Sequence, residues 1–348
     1  PEEPPPTMVL LNPVYISANC AKEDARNVSG LERVDAPNRG ITEIAQLDSL
    51  SKLNRIDISK NKIKTLDGLR LNSELKWINA STNEISSITA LRELANIQVL
   101  NVGTNKLTGS VSVGFLPKLN AFIANGNELT GVVGLPKCKE LNTIVLSHNQ
   151  IRELGALQLS TCTKLAKISL SHNMVDTIGK ALAGCSALAE LRLAHNRIRS
   201  LPEDLVVNGR LQVLDLSNNK VKDLKDVAVL SSMRSITNLS FKGCPVTETE
   251  GYKDAMMAMM PQLLVLDGQR VEGMGVDKKK QLQRTGLKEK IRGPKARAVE
   301  EKKRKRREEK ALEREREAKE GAAPQELNPA REGQWGARPS TGGGGGGG

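Results

Sequence analysis

The chain has 348 residues, a net charge of +12 and only 2% aromatic residues. So few rings leave Leu, Ile and Val to build the core, which excludes an aromatic-packed globule and suits a thin solenoid of aliphatic layers. The charge is local: Lys278 to Glu320 carries 19 basic and 9 acidic residues, a net +10, so the rest is nearly neutral and no basic nucleic-acid-binding body is implied.

Pro1 to Met8 is acidic and Pro-rich and is expected to be disordered. The apolar piece Met8 to Leu11 is too short for a signal-peptide core. The chain does not begin with Met, so a lost targeting segment stays open. No apolar run reaches the ~18 residues that a membrane-spanning helix needs. From Val9 to Val28 the pattern is irregular, with one or two helical turns expected between Ala18 and Arg26. Residues 1–28 therefore read as a disordered start and an N-terminal cap, because a solenoid must cover the edge of its first layer.

Residues 29–246 are repetitive. The template L-x-x-L-x-L-x-x-N-x-L-x-x-L fits ten times, with first positions at Leu31, Leu53, Leu75, Ile97, Leu119, Leu141, Leu165, Leu188, Leu211 and Ile236, spaced by 22 to 25 residues. Asn fills the ninth position at Asn61, Asn83, Asn105, Asn127, Asn149, Asn173, Asn196 and Asn219; Arg39 and Cys244 replace it in the first and last units. In x-L-x-L-x the side chains alternate, so Leu-type positions point inward and their neighbours line the open face. The Asn amide offers donors and acceptors where the chain leaves the strand and backbone groups lack a sheet partner. So short a unit leaves room on the convex side only for a turn or a 3₁₀ piece.

Residues 247–272 read as a C-terminal cap: Tyr252 to Met260 has helical spacing, Pro261 stops it, and Leu263 to Gly268 supplies a last strand and turn. The methionines there suit irregular core gaps better than a partner groove. Residues 273–320 form a basic charged tail that can be helical but lacks an apolar heptad. Residues 321–348, ending in a run of glycines, are expected to be disordered.

Phrases such as Ile56-Asp57-Ile58-Ser59-Lys60-Asn61-Lys62-Ile63 and Leu214-Asp215-Leu216-Ser217-Asn218-Asn219-Lys220-Val221, with the closing Leu266-Asp267-Gly268, resemble the short-repeat intracellular leucine-rich repeat family. Its members include a nuclear regulatory subunit of protein phosphatase 1 and the spliceosomal A-prime protein. The resemblance implies an α/β fold: a right-handed leucine-rich repeat solenoid with a parallel concave β-sheet. It also implies a non-enzymatic scaffold that binds a protein, with a phosphatase catalytic subunit among the candidate partners. Two other readings are a nuclear ribonucleoprotein component that contacts RNA through its tail, and a ciliary or cytoskeletal scaffold. A monomer within a larger complex is expected. The five cysteines, an odd number, favour reduced thiols and an intracellular setting, with the nucleus preferred over cytoplasm or cilium.

The register names the candidate binding face: Asp35, Arg55, Asp57, Trp77, Asn79, Val99, Asn101, Ile123, Val145, Lys167, Arg192 and Asp215. Its middle, from Trp77 through Val99 and Ile123 to Val145, is apolar. Exposed apolar clusters mark interaction surfaces, and Trp is enriched in hot spots. The plainer alternative is that Trp77 lies flat over its neighbours. His148, His172 and His195 recur at one repeat position, but no carboxylate row accompanies them, so turn bonding is preferred to a metal. Cys138, Cys162 and Cys185 recur at the far end of the strand and read as buried thiols. The run Lys302, Lys303, Arg304, Lys305, Arg306 and Arg307 suits nuclear import or phosphate contact; no aromatic residue interleaves it, so base stacking is not expected. No phosphate loop, nucleophile elbow or paired-carboxylate arrangement is present, so no enzyme activity, cofactor or metal is expected.

Overall fold

The computed structural model describes residues 8–19 and 28–271. Strand β1 (Leu10–Leu11) and helix α1 (Pro13–Asn19) come first, followed by β2 (Arg33–Asp35), β3 (Glu43–Ile44), β4 (Arg55–Asp57), β5 (Trp77–Asn79) and β6 (Val99–Asn101). Next are β7 (Thr108–Ser112), β8 (Ala121–Ile123), β9 (Glu128–Val133), β10 (Thr143–Val145), β11 (Lys167–Ser169) and β12 (Glu190–Arg192). The array closes with β13 (Val213–Asp215), β14 (Asn238–Ser240), α2 (Tyr252–Met259), β15 (Val265–Leu266) and β16 (Gln269–Arg270).

Every first position of the repeat is followed two residues later by a three-residue strand, and these strands lie side by side in one 12-stranded sheet. The pairing is parallel throughout, apart from β16, which runs antiparallel against β15. In β5 the central Ile78 is fully buried and the flanking Trp77 and Asn79 are half-buried, and the same pattern recurs in β4, β6, β8 and β10. The inward residues of one unit, Leu53, Ile56, Ile58, Ile63, Leu66 and Leu69, have no solvent exposure. Each such side chain is stabilised by about 1.5–3 kcal/mol relative to exposure.

The Asn row closes the backbone's hydrogen-bond accounts where the strands end. Asn61 Oδ1 accepts from the amides of Arg39 and Ile41, and its Nδ2 donates to the carbonyls of Ala36, Ile58 and Ser59. The first unit can therefore carry Arg39 at this position, because Asn61 reaches back to it. In the last unit Cys244 stands in for Asn: its Sγ accepts from Asn219 N at 3.3 Å and donates to Leu216 O at 3.1 Å. A second row lies three residues before each first position. There Cys138, Cys162 and Cys185 donate to the carbonyls of Val113, Leu135 and Leu159, and Asn72 and Asn208 occupy the same slot with equivalent bonds. Burial pushes the Cys138 thiol up to about 11 and that of Cys185 to about 12, so both stay protonated.

The structure departs from the sequence expectation in two places. The N-terminal helix spans Pro13–Asn19 rather than starting at Ala18. Asn12 caps it, with Oδ1 accepting from Tyr15 N at 2.8 Å and Pro13 at the first helical position; residues 20–27 lie outside the described residues. Ile16 on this helix and Leu11 beside it are buried against the first layers. The second departure is on the convex side. Besides the expected 3₁₀ turns there is a two-stranded parallel sheet, β7 with β9. Its strands carry Val111, Leu129 and Val132 toward the core, and a register shift between Gly109 and Ser110 accommodates the left-handed φ of Gly109.

At the C-terminal end α2 lays Tyr252 and Met256 into the core, and Met260 follows with no exposure. The Met-rich helix thus fills the cap. Tyr252 Oη donates to Asp267 Oδ2 at 3.0 Å while Asp267 Oδ1 accepts from Phe241 N at 2.6 Å, which ties helix, last turn and last full repeat together.

Candidate functional site

The open face of the sheet is two rows of side chains, one residue of each from every strand. The first row runs Arg33, Arg55, Trp77, Val99, Ala121, Thr143, Lys167, Glu190, Val213 and Asn238. The second runs Asp35, Asp57, Asn79, Asn101, Ile123, Val145, Ser169, Arg192, Asp215 and Ser240. All twelve candidate face residues sit in these rows. Trp77, Val99, Ile123 and Val145 are half-buried and fall in consecutive layers, with Ala121 between Val99 and Thr143.

Much of the second row is occupied by the turn that follows it. Asp57 Oδ1 accepts from Ser59 N and Oγ, and both its oxygens accept from Asn79 Nδ2 at 3.1 Å. Asn79 and Asn101 accept in the same way from Ser81 and Gly103, and Asp215 from Ser217. These short polar side chains therefore hold the strand-to-turn corner. Ser147 Oγ meets Ser169 Oγ at 2.8 Å, not His148.

Three strands carry oppositely charged residues at both outward positions, and they resolve differently. Arg33 Nη2 reaches Asp35 at 2.5 Å. Arg192 and Lys167 converge on Glu190 at 2.5 Å and 3.1 Å. Burial raises the Glu190 carboxyl, but the bonds from Arg192 and Lys167 outweigh it and hold the group below its usual range. The register alone did not single out Glu190, which decides that both neighbouring cations are neutralised. Arg55 and Asp57 do not pair in this way. Asp57 is taken up by Ser59 and Asn79, and the Arg55 guanidinium lies over the Trp77 ring with Cζ 3.6 Å from its centroid. Arg55 Nε is buried and has no hydrogen-bond partner among the described residues.

His148, His172 and His195 are exposed and stack with centroids 4.1 Å and 4.0 Å apart. Each has φ near +56°, in the corner residue before the ladder Asn, where other layers place Asn38, Lys60, Thr82, Thr104 and Gly126. Burial, then the charges of His195 and His148, lower the His172 pKa. Parallel stacked rings aim their nitrogens side by side, not at one point. Among the described residues no group of three His, Cys, Asp or Glu can hold a metal ion. Lys302 to Arg307 lie outside the described residues.

Two family models match the chain, both described as leucine-rich repeat, over residues 139–198 and 180–302. Over these residues the repeating unit matches the leucine-rich repeat. No curated protein matches the sequence. Among solved structures, the functional domain of InlJ from Listeria monocytogenes is similar at 19% identity and a TM-score of 0.53, covering 72% of this chain and 56% of that one. An internalin from L. monocytogenes aligns at 16% identity and a TM-score of 0.39, covering 74% of this chain and 94% of that one. Internalin C2 of the same organism aligns at 22% identity and 0.44, covering 62% and 82%. The InlJ likeness shows the fold. Leucine-rich repeat domains are generally protein-interaction scaffolds, and among the described residues no helix is long and apolar enough to cross a membrane.

Proposed function

We propose that the chain is a non-enzymatic scaffold that docks a protein partner on its concave face, across Trp77, Val99, Ala121, Ile123 and Val145. The observation that carries this is the position of these residues: consecutive layers, half-buried, with the polar layers of Arg55 and Asp57 before them and Lys167 and Ser169 after them. Residues that served only to fold the sheet would be polar here, as Asn79, Asn101 and Asp215 are. A phosphatase catalytic subunit is one candidate partner, suggested by the leucine-rich repeat resemblance alone.

The test is Trp77→Ala and Ile123→Asp in the full chain, with partner affinity measured by titration calorimetry. A central hot spot removed in this way costs about 2 kcal/mol or more. Melting temperature should hold, because neither side chain is inside the solenoid. Unchanged affinity in both variants removes the reading. A second role rests on Lys302 to Arg307, six consecutive cations suited to nuclear import or RNA phosphate contact. Deleting residues 278–348 should then abolish RNA co-purification or nuclear accumulation; if both persist, the tail has neither role.

A further inference from the structure

We infer that Arg55 is held open as a receptor for a carboxylate on the partner, and that the partner segment is an amphipathic helix with that Asp or Glu about two turns ahead of its apolar face. The inference rests on the concave face being the docking surface.

The contrast among the three charged strands is the argument. Arg33 is closed by Asp35, and Lys167 and Arg192 are closed by Glu190. Only the Arg55–Asp57 strand leaves its cation without an anion. The sequence offers the pair, and the structure separates it by giving Asp57 to Ser59 and Asn79. A half-buried guanidinium with no anion has lost part of its hydration without an ion pair in return, and a carboxylate reaching its terminal nitrogens would supply one. The Trp77 ring beneath the guanidinium fixes its plane. Nε is enclosed, whereas the two terminal Nη nitrogens are neither enclosed nor hydrogen-bonded among the described residues. A planar fork with a free edge matches a carboxylate through two parallel bonds.

The same row specifies the rest of the partner. Successive layers are about 4.8 Å apart. A helix laid across the strands advances 5.4 Å per turn, close to one turn per layer, whereas an extended peptide repeats its side chains every ~6.6 Å and falls out of step. Val99 lies two layers from Arg55, and Ile123 and Val145 lie three and four layers away. A carboxylate at position i on the helix therefore brings residues near i+7, i+10 and i+14 onto Val99, Ile123 and Val145.

The experiment selects helix-biased 18-residue peptides from a displayed random library on the full chain, discarding any that also bind Ile123→Asp. The expected winners carry Asp or Glu about seven residues before an apolar pair. Their synthetic Gln or Asn counterparts should bind at least tenfold more weakly to the wild-type chain. On Arg55→Met the discrimination between acid and amide should vanish, and on Arg55→Lys, which keeps charge but loses the fork, it should fall by more than half. Lys164→Gln, off this face, should leave it intact. Arg55→Met should melt close to wild type: it loses the stack on Trp77 but leaves no anion unpaired. Winners without the acid, or equal discrimination on Arg55→Met, overturn the inference while leaving the docking face standing. A library with no peptide sensitive to Ile123→Asp removes the docking face itself and this inference with it.

Discussion

Two rows of side chains run through the same layers one residue apart, and they mean different things. Asn149, Asn173 and Asn196 are buried, and each makes four bonds to the backbone; for Asn149 the partners are Leu129 N and the carbonyls of Ala124, Leu146 and Ser147. His148, His172 and His195 are exposed, and the bonding shown for their rings is their own stack plus one contact from Asn218 to His195 at 3.0 Å. Within these three layers both rows recur at the same spacing. Only the Asn row recurs because the backbone requires it. The His slot requires a residue that tolerates positive φ, and the seven other layers meet that with Asn, Lys, Thr or Gly.

The sharpest way to break this comparison is Asn149→Leu. It strands several buried backbone groups at once and should cost about 3–5 kcal/mol, read from urea denaturation. A loss under 1 kcal/mol would mean that the ladder is ornamental. Asn72→Leu should cost much less, about 1 kcal/mol or below. Its Oδ1 has no partner among the described residues, and the same slot holds Leu50, Leu94 and Leu116 in neighbouring layers. If Asn72→Leu matched Asn149→Leu, buried Asn would be equivalent wherever it stood.

The smallest expected effect belongs to the histidines. His172 has a lowered pKa in the folded chain, so below about pH 6.5 the unfolded chain takes up the proton first. The stack's contribution is complete above that pH and is lost as pH falls through the lowered folded value. His172→Asn should flatten this part of the melting-temperature profile between pH 7.5 and pH 5 while leaving stability near pH 7.5 almost unchanged. A stack that gained stability on acidification would contradict the stated causes.

The strands were legible in the sequence because every layer repeats the same alternation and the same exit residue, so a register set at His148 to Asn149 carries to Asp35 and to Ser240. The members of the open face followed from the register. Their pairing did not. Spacing places Arg55 beside both Asp57 and Trp77, but which one the guanidinium chooses depends on the competing bonds from Ser59 and Asn79. The convex strands β7 and β9 do carry a sequence signal: Leu107-Thr108-Gly109 and Leu129-Thr130-Gly131 recur 22 residues apart, with Val111 and Val132 close behind. The N-terminal helix had one too, in Asn12-Pro13.

The β7–β9 pair has a geometric consequence for the face opposite. A repeat array bends because its convex side spaces the layers more widely than the sheet does. Where strands pair on both sides, both spacings are set to about 4.8 Å, and the bend between those two layers falls toward zero. β7 and β9 follow β6 and β8 directly, so the layers that carry Val99 and Ile123 are hydrogen-bonded to each other on both sides. That double bracing makes the middle of the open face the part of the sheet whose layers are hardest to spread apart.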